Sequence, residues 1–256
     1  MTKKKGISGS TLKIIAIVTM LVDHTAAVLL GSVLIRMGIV SVGNYTPAYI
    51  AGMFEEKGIL IAGTYLAYQV MRRIIGRLAF PIFCFLLVEG FQRTQNRYKY
   101  AGRLFVFAIL SEIPFDLAFH RMTWYPEGQN VFFTLLLGVI LMSAFRYMEE
   151  KIDTAWTMIV GRIVAFLAVA VVAELIQCDY GAKGVMVIAV LYLFRKNKVE
   201  QLIAGCVAFF WEIMAMFSFI PIAFYNGKRG LKLKYIFYAF YPVHLLILYA
   251  LEKMLC

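Results

Sequence analysis

Long apolar runs separated by short basic stretches dominate the chain, a pattern that predicts helices crossing or dipping into a bilayer. The first run, Thr11 to Leu30, is followed by a mixed loop (31–46) carrying Arg36 and Asn44. Residues 47–71 hold Glu55, Glu56 and Lys57 and are too polar for a simple span, so an interfacial or partly re-entrant helix is expected. Residues 72–91, with Arg77, Pro81 and Glu89 inside, read as a span, as do 104–119, 131–145, 155–176 and 235–251. Residues 185–194 fall short of the ~20 residues a crossing helix needs, so they must be extended, tilted or partly buried. Residues 201–225 are long and contain Glu212 and Pro221. The fold class expected is all-α: a polytopic integral membrane helical bundle of about eight membrane segments, short or re-entrant ones included. No Ser/Gly-rich linker divides residues 1–256, so a single domain is expected.

The connections test that topology. Residues 92–103 (Arg93, Arg97, Lys99, Arg103), RKNK at 195–198 and YNGKRGLKLK at 225–234 are basic. Cytoplasmic loops collect Lys and Arg, and the leading KKK favours an inside N-terminus. The loops at 92–103 and 195–200 fit that orientation if 47–71 does not cross. A single crossing by 201–225 would then place the most basic loop outside. Either 201–225 is a broken hairpin, or those cations serve binding rather than topology.

Composition agrees with a membrane location. The chain is 62% hydrophobic and 16% charged, against about 25% charged in ordinary soluble domains. The 26 Lys+Arg against 15 Asp+Glu give +11, which in a bilayer fits cytoplasmic loops and anionic lipid headgroups rather than nucleic acid. Asp23 and His24 interrupt the first apolar run and no small-x-small site follows, so it is expected to be a retained span rather than a cleaved signal. Cys84, Cys178, Cys206 and Cys256 show no paired spacing, and neither a disulfide frame nor a metal site is expected. HExxH, GxSxG and paired CxxC patterns do not occur.

Ionisable groups inside a spanning helix are costly and mark candidate sites. Lys13 and His24 are eleven positions apart, which returns a helix to within roughly 20° of the same face and separates the two by about 16 Å. Thr19 and Asp23 lie on a neighbouring stripe. A buried histidine is suited to take a proton near neutral pH, or to accept an acyl group; a core histidine is the bland alternative, as a snorkelling cation is for Lys13. Asp23 diverges from His24 by about 100° and is expected to serve another helix or an arginine. Arg77 requires a carboxylate partner, with Glu89, Glu112, Asp116 and Asp23 available, or clamps a phosphate. In YNGKRG, Asn226, Lys228 and Arg229 combine a turn with two cations suited to phosphates.

The blocks LKIIAIVTMLVDH, GRLAFPIFCFLLVEGF, RLFVFAILSEIPFDLAF, NVFFTLLLG, DYGAKGV, FYNGKRG and YIFYAFYPVHLLIL, in order from Leu12 to Leu248, resemble the TraX family. Members resemble a conjugative-pilus protein that acetylates the pilin N-terminus. The first helix also resembles the wider transmembrane acyltransferase superfamily, where a basic residue, ten residues and a histidine mark the acetyl-CoA-dependent site. Here these positions are Lys13 and His24. The resemblance implies a multi-pass acetyltransferase of the bacterial plasma membrane that moves acetyl from acetyl-CoA to a peptide or protein N-terminus or a glycan. It implies a catalytic role for His24, as base or acyl carrier, and a donor-site role for Lys13; the reading of the residues themselves adds Asp23 beside His24, donor-site candidates Arg77, Asn226, Lys228 and Arg229, and pocket candidates Glu89, Asp116 and Asn130, with no metal expected. A proton-coupled transporter using the same polar groups, or a noncatalytic assembly subunit, would use them otherwise. No internal repeat is visible, which weakens the transporter reading.

Overall fold

The computed structural model describes residues 6–39, 44, 46–231 and 234–255, the side chains at 234 and 235 excepted. The leading lysines, Lys232, the Lys234 side chain and Cys256 lie outside that description. Among the described residues the fold is all-α, with two isolated bridges, Ile7 to Tyr225 and Gln129 to Cys178, and no strand. Among the described residues, four helical runs are long and apolar enough to cross a membrane: Gly9–Arg36, Pro47–Arg93, Val131–Lys151 and Ala155–Leu175. With the shorter apolar helices they make a polytopic membrane helical bundle.

Helix α1 (Gly9–Thr25) is started by Ser8, whose side chain accepts the Thr11 amide at 3.2 Å. It continues through a π-turn (Ala26–Leu30) into α2 (Gly31–Arg36). In the second run no loop separates residues 47–71 from 72–91, but its helical course is kinked. Helix α3 (Pro47–Val70) breaks locally at Gly58, whose φ of 79° only glycine adopts readily. A π-turn (Met71–Ile75) and a 3₁₀ turn (Gly76–Leu78) lead into α4 (Ala79–Arg93). Pro81 sits just after the change from the 3₁₀ turn to α4.

Helix α5 (Arg97–Phe119) begins inside the stretch expected to be a basic loop. Asn96 accepts the Lys99 amide at 2.8 Å and sets that start. Helices α6 (Val131–Lys151), α7 (Ala155–Leu175) and α8 (Gly181–Leu193) follow. Residues 201–225 form the broken hairpin. Helix α9 (Lys198–Ala208) enters, the short α10 (Ile213–Met216) turns the chain, and α11 (Phe219–Ala223) returns it. The Lys198 ammonium closes the hairpin by donating to the Ala223 and Tyr225 carbonyls at 2.7 and 2.9 Å. Helix α12 (Lys234–Leu255) completes the bundle.

This hairpin removes the conflict in the basic loops, because it gathers them at one end. The amides of Gly9 and Ser10 donate to the Lys228 and Arg229 carbonyls. Arg97 pairs with Glu150 and Arg195 with Glu149, bringing the start of α5 and the ends of α6 and α8 to the same level. At the far end, Arg121 and Ser32 converge on Glu252. Inside lipid the hydrophobic effect does not draw helices together, and small residues that allow close approach take over. Gly138 of α6 lies against Ile188 of α8, and Gly205 of α9 against the Phe219 ring.

Candidate functional site

A cavity of about 330 Å³ runs into the bundle from the basic end. Its mouth carries Lys13, Arg93, Arg103 and Arg229, and its wall is lined by Phe132, Phe237 and Tyr238. Its inner end is formed by Met20 and Tyr241, two turns of α1 beyond Lys13. Glu89 also lines it, neutralised by Arg93 at 2.7 Å. Arg103 Nε is buried with no hydrogen-bond partner, so this cation brings an unspent donor to the wall. Lys13 Nζ lies 5.1 Å from the Phe237 ring centroid.

His24 stands one helical turn beyond Met20, about 22 Å along α1 from Gly9. Phe119 and Tyr241 meet its ring edge-on, with centroids 5.1 and 5.9 Å away. His244 of α12 stacks on it at 5.0 Å, the planes 8° apart, with Nδ1 of His24 2.7 Å from Nε2 of His244. The other nitrogen of His244, Nδ1, is 2.7 Å from the Phe240 carbonyl oxygen. A carbonyl only accepts, so His244 Nδ1 carries its proton. With both rings neutral, His244 Nε2 then accepts from His24 Nδ1–H, and His24 Nε2 keeps a lone pair. The pairing fixes one tautomer on His24, the one a base at Nε2 requires.

Asp23 points away from His24, to Arg72 at 2.8 Å, as the 100° offset demands. It faces Gly76 so closely that a Cβ there would overlap its carboxylate. Arg77 pairs with Glu212 of the hairpin at 3.4 Å rather than with the four carboxylates the sequence offered, and it does not line the cavity. Asp179, in the turn before α8, is within electrostatic reach of Asp23, Arg72 and Arg77. A charged layer thus crosses the bundle at the depth of His24.

Several sequence candidates have local duties. Asn130 is fully buried, caps α6 at the Phe132 amide, and donates to Glu112 and to the Ala108 carbonyl at 2.8 Å. Asp116 accepts the Tyr125 amide at 2.8 Å and pins the loop that follows α5. Asn226 donates to the Gly6 carbonyl and accepts the Lys228 amide, which fixes the turn. Of the two turn cations, Arg229 lines the cavity and Lys228 does not. Thr19 hydrogen-bonds the Ile15 and Ala16 carbonyls and so turns from the polar stripe onto its own helix.

Sequence reasoning passed over His244, Arg72, Arg93 and Arg103 as site residues. For His244 the signal was present: it is a histidine inside an apolar helix, the criterion that singled out His24. Arg93 and Arg103 were assigned to a loop because charge breaks an apolar run wherever a cavity mouth is built into a helix. Among the described residues, no group of three or more His, Cys, Asp or Glu side chains could hold a metal ion.

The fold and this arrangement define a helical membrane protein with a basic-mouthed internal cavity ending beside a histidine pair. The family model described as TraX protein matches residues 8–252, and the chain belongs to the TraX family. It is 26% identical to "Probable fimbrial assembly protein FimC, serogroup H1" of Dichelobacter nodosus, over 97% of each chain. No solved structure matches it.

Proposed function

We propose that this protein is an acetyl-CoA-dependent membrane acetyltransferase. The observation that carries the reading is the cavity itself: cations at its mouth, an apolar and aromatic bore, and His24 with a fixed tautomer one turn past its end. The phosphates of the donor suit Lys13, Arg103 and Arg229, since Arg forks and Lys point charges both bind phosphate. A long, thin pantetheine arm suits the bore, with its thioester delivered toward Tyr241 and Met20.

In the reaction, an acceptor amine or hydroxyl gives its proton to His24 Nε2 as its nitrogen or oxygen attacks the thioester carbonyl. The C–S bond of the tetrahedral intermediate then breaks. The proton on His24 passes to the departing sulfur, leaving acetylated acceptor and free CoA thiol. His24 as a positioned base contributes of the order of 10²–10⁴-fold, and donation from its Nδ1 to His244 stabilises the imidazolium formed midway. Asp23 acts at a distance, by holding Arg72 and the chain around Gly76.

The fimbrial relative supports a peptide or protein N-terminus as acceptor, in assembly of a surface fibre. Collection of the basic connections at one end supports a cytoplasmic position for the cavity mouth in a bacterial plasma membrane, where acetyl-CoA is made. The test is binding of CoA to purified protein by calorimetry, followed by transfer of labelled acetyl to a peptide with a free or blocked N-terminus. CoA binding that is kept in His24→Ala, with transfer to the free amine that is lost in it, is the expected result. Absence of CoA binding overturns the reading in favour of a noncatalytic assembly subunit.

A further inference from the structure

A second cavity, of about 510 Å³, lies at the basic end between α6, α7 and the end of α8. It is lined by Arg146, Arg162, Arg195 and Lys196, with Glu149 and Glu150 among them. Glu149 gathers the arginines: Arg195 at 2.6 Å, Arg162 at 2.8 Å and Arg146 at 3.9 Å. Glu150 takes Arg146 at 2.7 Å and Arg97 at 3.3 Å. Five cations therefore surround two carboxylates, and the excess is positive. Two donors are unspent. Arg162 Nε is buried with no hydrogen-bond partner, and Lys196 has no ion pair or hydrogen bond among the described residues.

The surroundings say what kind of anion fits. Leu193 is exposed at the cavity rim, and Met158 and Ile152 line it. Helix α7, which supplies Met158 and Arg162, is the least buried of the four long apolar runs, with 11% of its apolar window covered. Its residues Ile159, Ile163 and Leu167 are exposed in a stripe leading away from the cavity. Trp156 and Tyr147 are exposed at the same end, where aromatic side chains mark the headgroup level of a bilayer. Cations at headgroup depth, continuous with an uncovered apolar stripe, match an amphiphile rather than a free ion.

We propose that this cavity binds the phosphate headgroup of an anionic membrane lipid, with the acyl chains lying along α7. Arg162 Nε and Lys196 Nζ supply the donors that the protein leaves unspent, while Glu149 holds the guanidinium groups in convergence. The site is separate from the cavity beside His24 and does not depend on the function proposed for it.

The experiment uses the whole protein, delipidated in detergent and titrated with phosphatidylglycerol, phosphatidylcholine or inorganic phosphate, with bound lipid read by native mass spectrometry. The expected result is preferential retention of phosphatidylglycerol, and a loss of about fivefold per cation removed in Arg146→Gln and Lys196→Gln. Both positions are at the rim, and thermal unfolding checks that the variants fold; Arg162→Gln serves as a third variant. Equal retention of phosphatidylcholine, or a preference unchanged in all three variants, overturns the proposal. Inorganic phosphate displacing the lipid at equal concentration overturns the lipid assignment.

Discussion

His24 and His244, 220 positions apart in the chain, meet at 2.7 Å between Nδ1 and Nε2. The Phe240 carbonyl behind them fixes the direction of both hydrogen bonds. His24→Ala is expected to lower acetyl transfer by about 10²–10⁴-fold. His244→Ala should cost less, because it frees the tautomer without removing the base, and His244→Gln should recover most of the rate, since its amide oxygen accepts the same N–H. Neither histidine lines the cavity, so CoA affinity measured by calorimetry should stay unchanged in all three variants.

The cavity mouth separates two neighbouring cations. Arg229 lines it and Lys228 does not. Replacing Arg103 or Arg229 by Gln should weaken CoA binding by roughly 10–100-fold, the scale of a lost hydrogen bond to a charged group. The residual binding should be less sensitive to salt. Lys228→Gln should leave the affinity unchanged, and an equal loss there would assign the effect to long-range charge.

The Asp23–Arg72 pair is held against Gly76 with no room for a methyl group. Gly76→Ala should push Asp23 off Arg72 and cost about 1–3 kcal/mol by overpacking, seen as a lower unfolding temperature. Arg72→Ala should be destabilising by itself, because it leaves the carboxylate unpaired, while Arg72→Ala with Asp23→Ala should recover part of the loss. A double variant as unstable as the sum of the singles would show that the two residues act independently.

The loop after α5 should respond to pH. His120 stacks on Tyr125 with centroids 3.9 Å apart, and burial lowers its pKa from the ordinary 6.5, against an opposing pull from Asp116. The fold thus prefers the neutral ring. That contribution is complete above about 6.5 and is lost as the pH falls below it. Amide hydrogen exchange in residues 121–129 should rise, relative to the rest of the protein, between about pH 7.5 and 5.5, and His120→Gln should flatten the change.

Much of the bundle was legible because a bilayer leaves few options for apolar runs of this length. The first helix and the spans beginning at 131 and 155 follow from hydropathy, proline and charge, whereas the broken hairpin at 201–225 was one of two options that the charge pattern left open. The boundaries that failed lie where charge enters a helix. Arg97, Lys99 and Arg103 belong to α5, and Glu55, Glu56 and Lys57 stand beside Gly58 inside one long kinked run. Hydropathy counts a charge as a break, whereas a charge at a bundle end or a cavity mouth is solvated or paired.

For the site, the sequence by itself determined the helical membrane character, the family, and the shared face of Lys13 and His24, since each depends only on residue type and helical period. Tertiary structure decided the partners. It set His244 against His24, gave Arg72 rather than Arg77 to Asp23, sent Arg77 to Glu212, and chose Arg229 over Lys228 for the cavity. Such pairings join helices far apart in sequence, and several carboxylates and cations would have satisfied the same charge. Only the packing of the bundle, through close approaches such as Gly76 on Asp23, selects among them.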